Sequence, residues 1–439
     1  MSEEPLHEGD RLGAAPPVPE GGPRQLVRLA AIDIGPLRRH RDYRLLWIGR
    51  AVSLFGSEIT YVAIPYQVYR LTGSVAVVGL ISLVELVPLL TSAVLGGAFA
   101  DAVDRRRMLL LTELGLAASS GVLVFNALLP SPQLWVLFVV AALSASLTGF
   151  QRPSLDALTP RLVERDELMA VGALDSLRWT FGNIGGPAVG GILIATVGLA
   201  GVYAIDIGTF LFSLVMLNAM RAVPPPPDAE RPSLRRIAEG FRYARSRPEL
   251  LGTYGVDIVA MFFGMPNALF PAFAQKFGGA GVLGLLYAAP SVGSLLATAT
   301  SGWTARVHRH GLGVILAAAV WGLGILLLGL ASSLPLALAA LALAGGADMV
   351  SGIFRSTIWN QTIPDRLRGR LAGIEQVSYS TGPLLGDLEA GVVGSLAGVR
   401  VSIVSGGALC IVGVAAAALL LPAFRRYDAR TFVPEPAAA

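Results

Sequence analysis

The sequence predicts an all-α membrane protein with twelve transmembrane helices arranged in two pseudo-symmetric six-helix halves. Of its 439 residues, 54% are hydrophobic and only 15% are charged, whereas a soluble protein carries about a quarter charged residues. The apolar runs are about 20 residues long, which is the length of a membrane-crossing helix. They do not show the alternation of membrane strands. Arginines collect in every second loop, which is the distribution that orients membrane helices.

The predicted crossings form two sets of six. They span residues 45–70, 75–100, 108–129, 133–151, 168–197 and 201–220, then 250–275, 280–304, 312–331, 335–353, 371–397 and 400–423. The regions around them are a largely disordered N-terminal tail (1–42), the first half (43–220), a linker (221–249), the second half (250–424) and a C-terminal tail (425–439). Within the linker, residues 233–246 alternate apolar and arginine residues. That pattern suits a helix on the membrane surface and suits a solvated helix equally well.

The arginines predict that both termini and the linker are cytoplasmic. Loops with arginine clusters alternate with short, nearly neutral loops such as 130–132 and 197–199. An odd number of missed helices would break this alternation. The formal net charge of +4 reflects these loops, so we expect a lipid bilayer rather than nucleic acid as the partner.

A tight charged turn over 96–107 separates the second and third apolar runs. Gly97 allows close helix approach, Asp101 ends the run, and Arg105 and Arg106 begin the basic cluster. An acid at this position lies near cations and the positive end of the next helix. We expect Asp101 to form a cytoplasmic latch, or in the simpler interpretation a helix cap.

Acidic residues inside apolar runs are costly and usually face a cavity or a partner. Glu58, Glu85 and Asp387 are the candidates for proton coupling. Glu58 has no basic residue within one turn of its own helix and lies near mid-membrane. It is the first choice as a proton carrier, with a permanently hydrogen-bonded structural glutamate as the alternative.

Other acids have structural interpretations. Asp175 has Arg178 one turn later, so an ion pair within the helix is as plausible as a substrate role. Asp257 and Asp348 are expected to cap or pair near the cytoplasmic ends of their helices. Asp206, near an outer end, is expected to be solvated.

The sequence contains no constellation for catalysis, a cofactor or a metal. It has no G-x-x-x-x-G-K-S/T loop, its four histidines lie in loops or tails, and its one cysteine, Cys410, lies in an apolar run. We therefore expect a protein that is not an enzyme and binds no cofactor or metal.

Two motifs give a resemblance to the major facilitator superfamily. The 96–107 turn resembles its motif between helices 2 and 3, although Ala102 and Asp104 depart from it. The fifth crossing contains Gly182, Gly186, Pro187, Gly190 and Gly191, in a Gly-Pro-x-x-Gly-Gly string that resembles the family's antiporter motif. Strings such as 63–68 and 382–387 are similar to a branch of enterobactin exporters and actinobacterial drug-efflux proteins.

This resemblance implies a bacterial cytoplasmic-membrane transporter that works by alternating access. The expected activity is proton-coupled export of a small organic compound such as a drug, a siderophore or another natural product, by a monomer. Two alternatives stay open: an importer of a small metabolite with the same fold, and a membrane receptor or assembly factor that does not transport.

Overall fold

The computed structural model describes residues 33–102, 104–222 and 241–430; for 93–102 and several residues of 365–373 it describes the backbone alone. Predictions about residues 1–32, 223–240 and 431–439, including most of the tails and of the linker helix, lie outside the described residues. Every regular element within the described ranges is helical, and this confirms the all-α class.

Twelve helices of 17 residues or more form the described part of the chain. The first half contains α1 (Arg41–Thr72), α2 (Val75–Ala102), α3 (Arg105–Leu128), α4 (Leu134–Leu158), α5 (Leu168–Thr196) and α6 (Gly198–Asn218). The second half contains α7 (Pro248–Gly264), α8 (Ala280–Ala299), α9 (His310–Leu330), α10 (Leu334–Thr362), α11 (Asp365–Ala397) and α12 (Val399–Leu420).

Several boundaries differ from the predicted crossings. Helices α4 and α10 run to Leu158 and Thr362, beyond the apolar runs that predicted them, because hydropathy marks the bilayer and the helical backbone continues outside it. The seventh crossing is not one helix. It stops at Gly264 and restarts through a 3-10 turn, Asn267–Leu269, into a short helix, Phe270–Gln275. Pro266 lacks the N–H that an unbroken helix needs.

Nine of the twelve described helices are apolar enough to cross a membrane by length and composition, with α7 counted together with its restart as Pro248–Gln275. The other three are α1, α5 and α11, which contain Glu58, the Asp175–Arg178 pair and Asp387. Their charged residues lower the hydropathy, and such helices are expected inside a bundle rather than against lipid.

The helix ends define two faces of the molecule. The arginine-rich face contains Arg105–Arg107, Arg161, Arg247 and Arg306; the opposite face contains the turns at Gly73, Gly198 and Gly398. At the last three positions φ is +63°, +72° and +95°, a region that glycine adopts without steric cost.

The two halves are closed against each other near the opposite face. Helix α2 packs on α11 and α5 packs on α8. A Cβ added to Gly79 would lie 2.5 Å from the carbonyl oxygen of Asp387, and one added to Gly191 would lie 2.6 Å from that of Ala280. Glycine therefore brings the backbones of opposite halves into direct contact.

Candidate functional site: a cavity lined by carboxylates

A cavity of about 480 Å³ runs along the inner side of the first half. It begins among residues near the arginine-rich face, including Tyr43 and Arg152, reaches Glu58 and Glu85 near the middle of α1 and α2, and extends to Ile64. Leu384 of α11, in the second half, also lines it. Since the halves are closed near the opposite face, the cavity is accessible from the arginine-rich face.

The glycine-proline motif of α5 makes room for Glu58. A Cβ on Gly186 would overlap the Cβ of Glu58, and one on Gly190 would lie 3.1 Å from the Cα of Ile59. Gly182 likewise faces α1, where its added Cβ would lie 2.9 Å from Leu54. These glycines therefore set the distance between α5 and α1 around a half-buried carboxyl group.

Glu58 receives no hydrogen bond from any side chain within the described part of the chain. It lines the cavity. Gly191 and Pro187, at the other end of the motif, instead contact Gly284 of α8 across the closure between the halves. The motif thus joins the surroundings of Glu58 to the contact that closes the opposite face.

Glu85 and Asp387 belong to opposite halves and lie close enough for their charges to interact. Asp387 is buried and accepts a hydrogen bond from the N–H of Ala268 at 3.1 Å, where the seventh segment restarts. The hydroxyl of Ser82 on α2 also donates to Asp387. Asp387 on α11 therefore connects to α2 and to the broken seventh segment by hydrogen bonds. Glu85 lies beside it and lines the cavity.

Aromatic side chains close the space between these acids and the opposite face. The rings of Tyr61 on α1 and Tyr287 on α8 meet edge to face, with centroids 5.4 Å apart. The hydroxyl of Tyr287 donates to the carbonyl of Asn267 at 3.2 Å, and the Asn267 amide donates to the hydroxyl of Tyr61 at 3.4 Å. The closure is therefore both apolar and hydrogen-bonded, and it joins the two halves.

A buried ion pair that sequence reasoning missed lies nearer the arginine-rich face. Arg50 of α1 donates to Glu113 of α3 at 2.5 Å and to Gln151 of α4 at 2.8 Å. Glu113 has no exposed surface. Both charged residues interrupt apolar runs and are therefore visible in the sequence. They are 63 residues apart, however, so their pairing cannot be predicted from their spacing.

The second half contains a related arrangement with the charges exchanged. Arg355 of α10 is 3% exposed and pairs with Asp257 of α7 and, at 3.2 Å, with Asp348. The first and fourth helices of each half are therefore joined by an arginine-centred contact. Asp257 and Asp348, which were expected to cap or pair, therefore both pair with Arg355.

Asp175 and Arg178 form an ion pair within α5, with 3.2 Å between nitrogen and oxygen. Both residues line the cavity, so the pair does not remove them from contact with a bound molecule.

The expectation that Asp206 is solvated was wrong. It is 1% exposed, and its carboxylate accepts hydrogen bonds from Thr60 at 2.8 Å and Ser120 at 2.7 Å. These donors lie on α1 and α3, far away in sequence, so a single helix could not reveal them.

The basic residues of the 96–107 turn bind within the first half. Arg105 donates to the carbonyl of Ala157 at 3.0 Å, and Arg106 donates to the carbonyls of Leu217 and Asn218 at 2.8 and 2.6 Å. Asp104 caps α3 by accepting from the N–H of Arg106 at 2.9 Å. For Gly97 and Asp101 the structure describes the backbone alone, so the latch stays a prediction.

Curated relatives match most of the chain. An enterobactin exporter (EntS) from Shigella boydii serotype 4 (strain Sb227) is 30% identical over 388 residues, which cover 87% of this chain and 92% of the relative. The enterobactin exporter of Escherichia coli O1:K1 / APEC matches with the same identity and coverage.

Solved structures share the fold at low sequence identity. The nucleoside transporter NupG has a TM-score of 0.69 at 13% identity, over 87% of this chain and 98% of NupG. A bacterial homologue of the iron transporter ferroportin, in an inward-facing state, has a TM-score of 0.63 at 16% identity, over 88% of this chain and 98% of that one. The family model described as "Transmembrane secretion effector" matches residues 32–438. The chain therefore belongs to the transmembrane secretion effector family, within the major facilitator superfamily of multi-pass membrane transporters.

Proposed function

We propose that this protein is a monomeric, proton-driven exporter of a small organic compound in the bacterial cytoplasmic membrane. The observation that carries the proposal is the cavity, which is lined by carboxylates and lies beneath a closed opposite face. The glycine-proline motif that packs around Glu58 supports coupling between a protonation site and the closure.

The arginine-rich face is assigned to the cytoplasm because arginine-bearing loops are retained there. In this orientation both termini are cytoplasmic, and the described conformation receives substrate from inside the cell. The substrate class follows from the relatives, which export enterobactin. We propose a siderophore, a drug or a comparable natural product, since a cavity of about 480 Å³ has the size of ordinary small-molecule sites.

Glu58 is proposed to carry the proton. Its carboxyl group lies on the cavity and has no donor side chain among the described residues, so protonation does not have to break a fixed hydrogen bond. When the cavity faces the acidic exterior, Glu58 takes up a proton. When it faces the cytoplasm, the proton leaves and substrate enters.

Glu85 and Asp387 are proposed to link protonation to closure. Closing the opposite face brings these two carboxyl groups, one from each half, together at the inner part of the cavity, where Asp387 is buried. Two negative charges there would repel strongly, because the effective dielectric constant is low. Proton binding to this pair therefore favours the closed state, and proton release favours opening.

The latch of Gly97, Asp101, Arg105 and Arg106 is proposed to act in the other conformation, when the halves meet at the cytoplasmic face. Asp101→Asn should then lower turnover while substrate binding is retained. Unchanged turnover would leave Asp101 as a helix cap only.

The test is transport in proteoliposomes with an imposed pH gradient, using enterobactin as the probe. Glu58→Gln should abolish gradient-driven accumulation while exchange of labelled for unlabelled substrate continues. Glu389→Gln is the matched control, because this acid lies in α11 but does not line the cavity.

Three results would contradict the proposal. Full gradient-driven accumulation by Glu58→Gln would move the proton site to Glu85 or Asp387. Accumulation driven in the same direction as the proton would identify an importer. The absence of counterflow for enterobactin and for a panel of siderophores and drugs would favour a receptor that does not transport.

A further inference from the structure

A second, larger groove lies on the outer surface of the second half, between α8, α9 and α10. Its volume is about 910 Å³. Its walls include Leu296, Leu316 and Leu343, which are 61%, 57% and 42% exposed. We propose that this groove binds one anionic phospholipid, with an acyl chain along the groove and the headgroup at its arginine-rich end.

The depth of the groove comes from small residues. A Cβ on Gly293 of α8 would overlap the carbonyl group of Ala342 on α10, and one on Gly346 would lie 3.2 Å from the carbonyl oxygen of Gly293. The two backbones therefore touch at the floor, while leucines rise on either side. A narrow apolar trough of this kind suits a single hydrocarbon chain better than a broad surface does.

The basic side chains that line the groove lie at one of its ends only. His308, Arg309 and Arg430 line the groove at the arginine-rich face, where a lipid headgroup would lie. Arg309 is exposed and makes no ion pair with any described residue. Trp303, half exposed beside them, is the kind of residue that favours the boundary between hydrocarbon and headgroups.

Packing and hydrogen bonds of the residues just before Arg430 hold it in place. Phe424 is completely buried, and the N–H of Ala429 donates to the carbonyl of His308 at 2.9 Å. Asp428 accepts two hydrogen bonds from the Arg430 guanidinium, at 3.0 and 2.7 Å. These hydrogen bonds hold the pKa of Asp428 below its usual range, so the pair stays charged and Arg430 stays directed to the groove.

Any membrane-facing surface contacts lipid, so the distinguishing property is the preference for a negative headgroup. A basic residue near the membrane surface increases binding of an anionic lipid about fivefold. The acyl groove provides the remaining affinity, which free phosphate could not use. This inference does not depend on the direction of transport or on the proton sites.

The test is native mass spectrometry of the full-length protein, titrated with phosphatidylglycerol or with phosphatidylcholine of the same chains. The wild type should retain phosphatidylglycerol preferentially. Arg309→Gln and Arg430→Gln should each lower its binding about fivefold and leave phosphatidylcholine unchanged. Arg400→Gln, an equal loss of charge at the opposite face, is the control.

Leu343→Trp tests the groove itself, because the larger side chain fills the trough from an exposed position. It should weaken binding of both lipids, while millimolar inorganic phosphate should not compete. Equal binding of the two lipids by the wild type would overturn the proposal, as would a phosphatidylglycerol preference that survives loss of both arginines. Competition by free phosphate would also contradict the proposal, because it would show that the site binds anions in general and does not require a lipid.

Discussion

A methyl group added at Gly284 should shift the conformational equilibrium away from the closed opposite face. Gly284 lies on α8 where that helix crosses α5. Its added Cβ would overlap the carbonyl oxygen of Pro187 and would lie 2.9 Å from the nitrogen and 3.0 Å from the Cα of Gly191. All three atoms are backbone atoms, so no side chain can rotate away to relieve the contact.

The size of the effect follows from this geometry. Excess volume in a packed interface costs about 1–3 kcal/mol, and here the cost falls on the state in which the two halves touch. If the halves separate in the other state, the contact disappears and the cost is not incurred. Gly284→Ala should therefore change the ratio of the two states by about 5- to 150-fold.

The distance between the halves at the opposite face can be measured by spin labelling. Cys410, the one cysteine of the sequence, is buried and can be replaced by serine. Labels at Ser131→Cys and Ser332→Cys, in exposed turns of the two halves, should then show a longer-distance population in Gly284→Ala. Gly281→Ala on the same helix is the control, because its Cβ would meet nothing within 4 Å. Identical distance distributions for the two variants would refute the reasoning.

Two further predictions concern the buried charges and the orientation. Glu113→Leu leaves Arg50 buried with only part of its hydrogen bonding and should destabilise the protein by about 3–5 kcal/mol, measured as a lower Tm in detergent. Arg50→Leu combined with Glu113→Leu should recover much of that loss, and a double variant as unstable as the single one would show that packing, not charge, is responsible. Reporter fusions at residues 131 and 439 should report opposite sides of the membrane, and the same side for both would contradict the proposed topology.

The helical class and the approximate positions of the helices could be predicted from the sequence because hydropathy is a local property. An apolar run of about 20 residues predicts a crossing wherever it occurs. The break in the seventh crossing was missed for a related reason: hydropathy continues through Met265 and Pro266 although the helix does not. The occurrence of arginine in alternate loops is also a property that can be read locally along the sequence, and it led to the orientation proposed here.

The positions of Glu58, Glu85 and Asp387 inside apolar runs could be read from the sequence, because a carboxyl group in an apolar run is conspicuous. The role of each acid could not be predicted from the sequence. Asp206 was expected in water but is held by hydroxyl groups of α1 and α3, and Glu113 turned out to be the buried partner of Arg50. Such partners lie on other helices, and no spacing along one helix reveals them.

The sequence alone therefore determined the membrane class, the approximate helix positions and the presence of a glycine-proline motif. Only the tertiary structure decided that Gly182, Gly186 and Gly190 pack against α1 around Glu58, while Gly191 meets α8 of the other half. The physical reason is that a helix's hydropathy depends on its own residues, whereas the neighbour of each face depends on how twelve helices pack together.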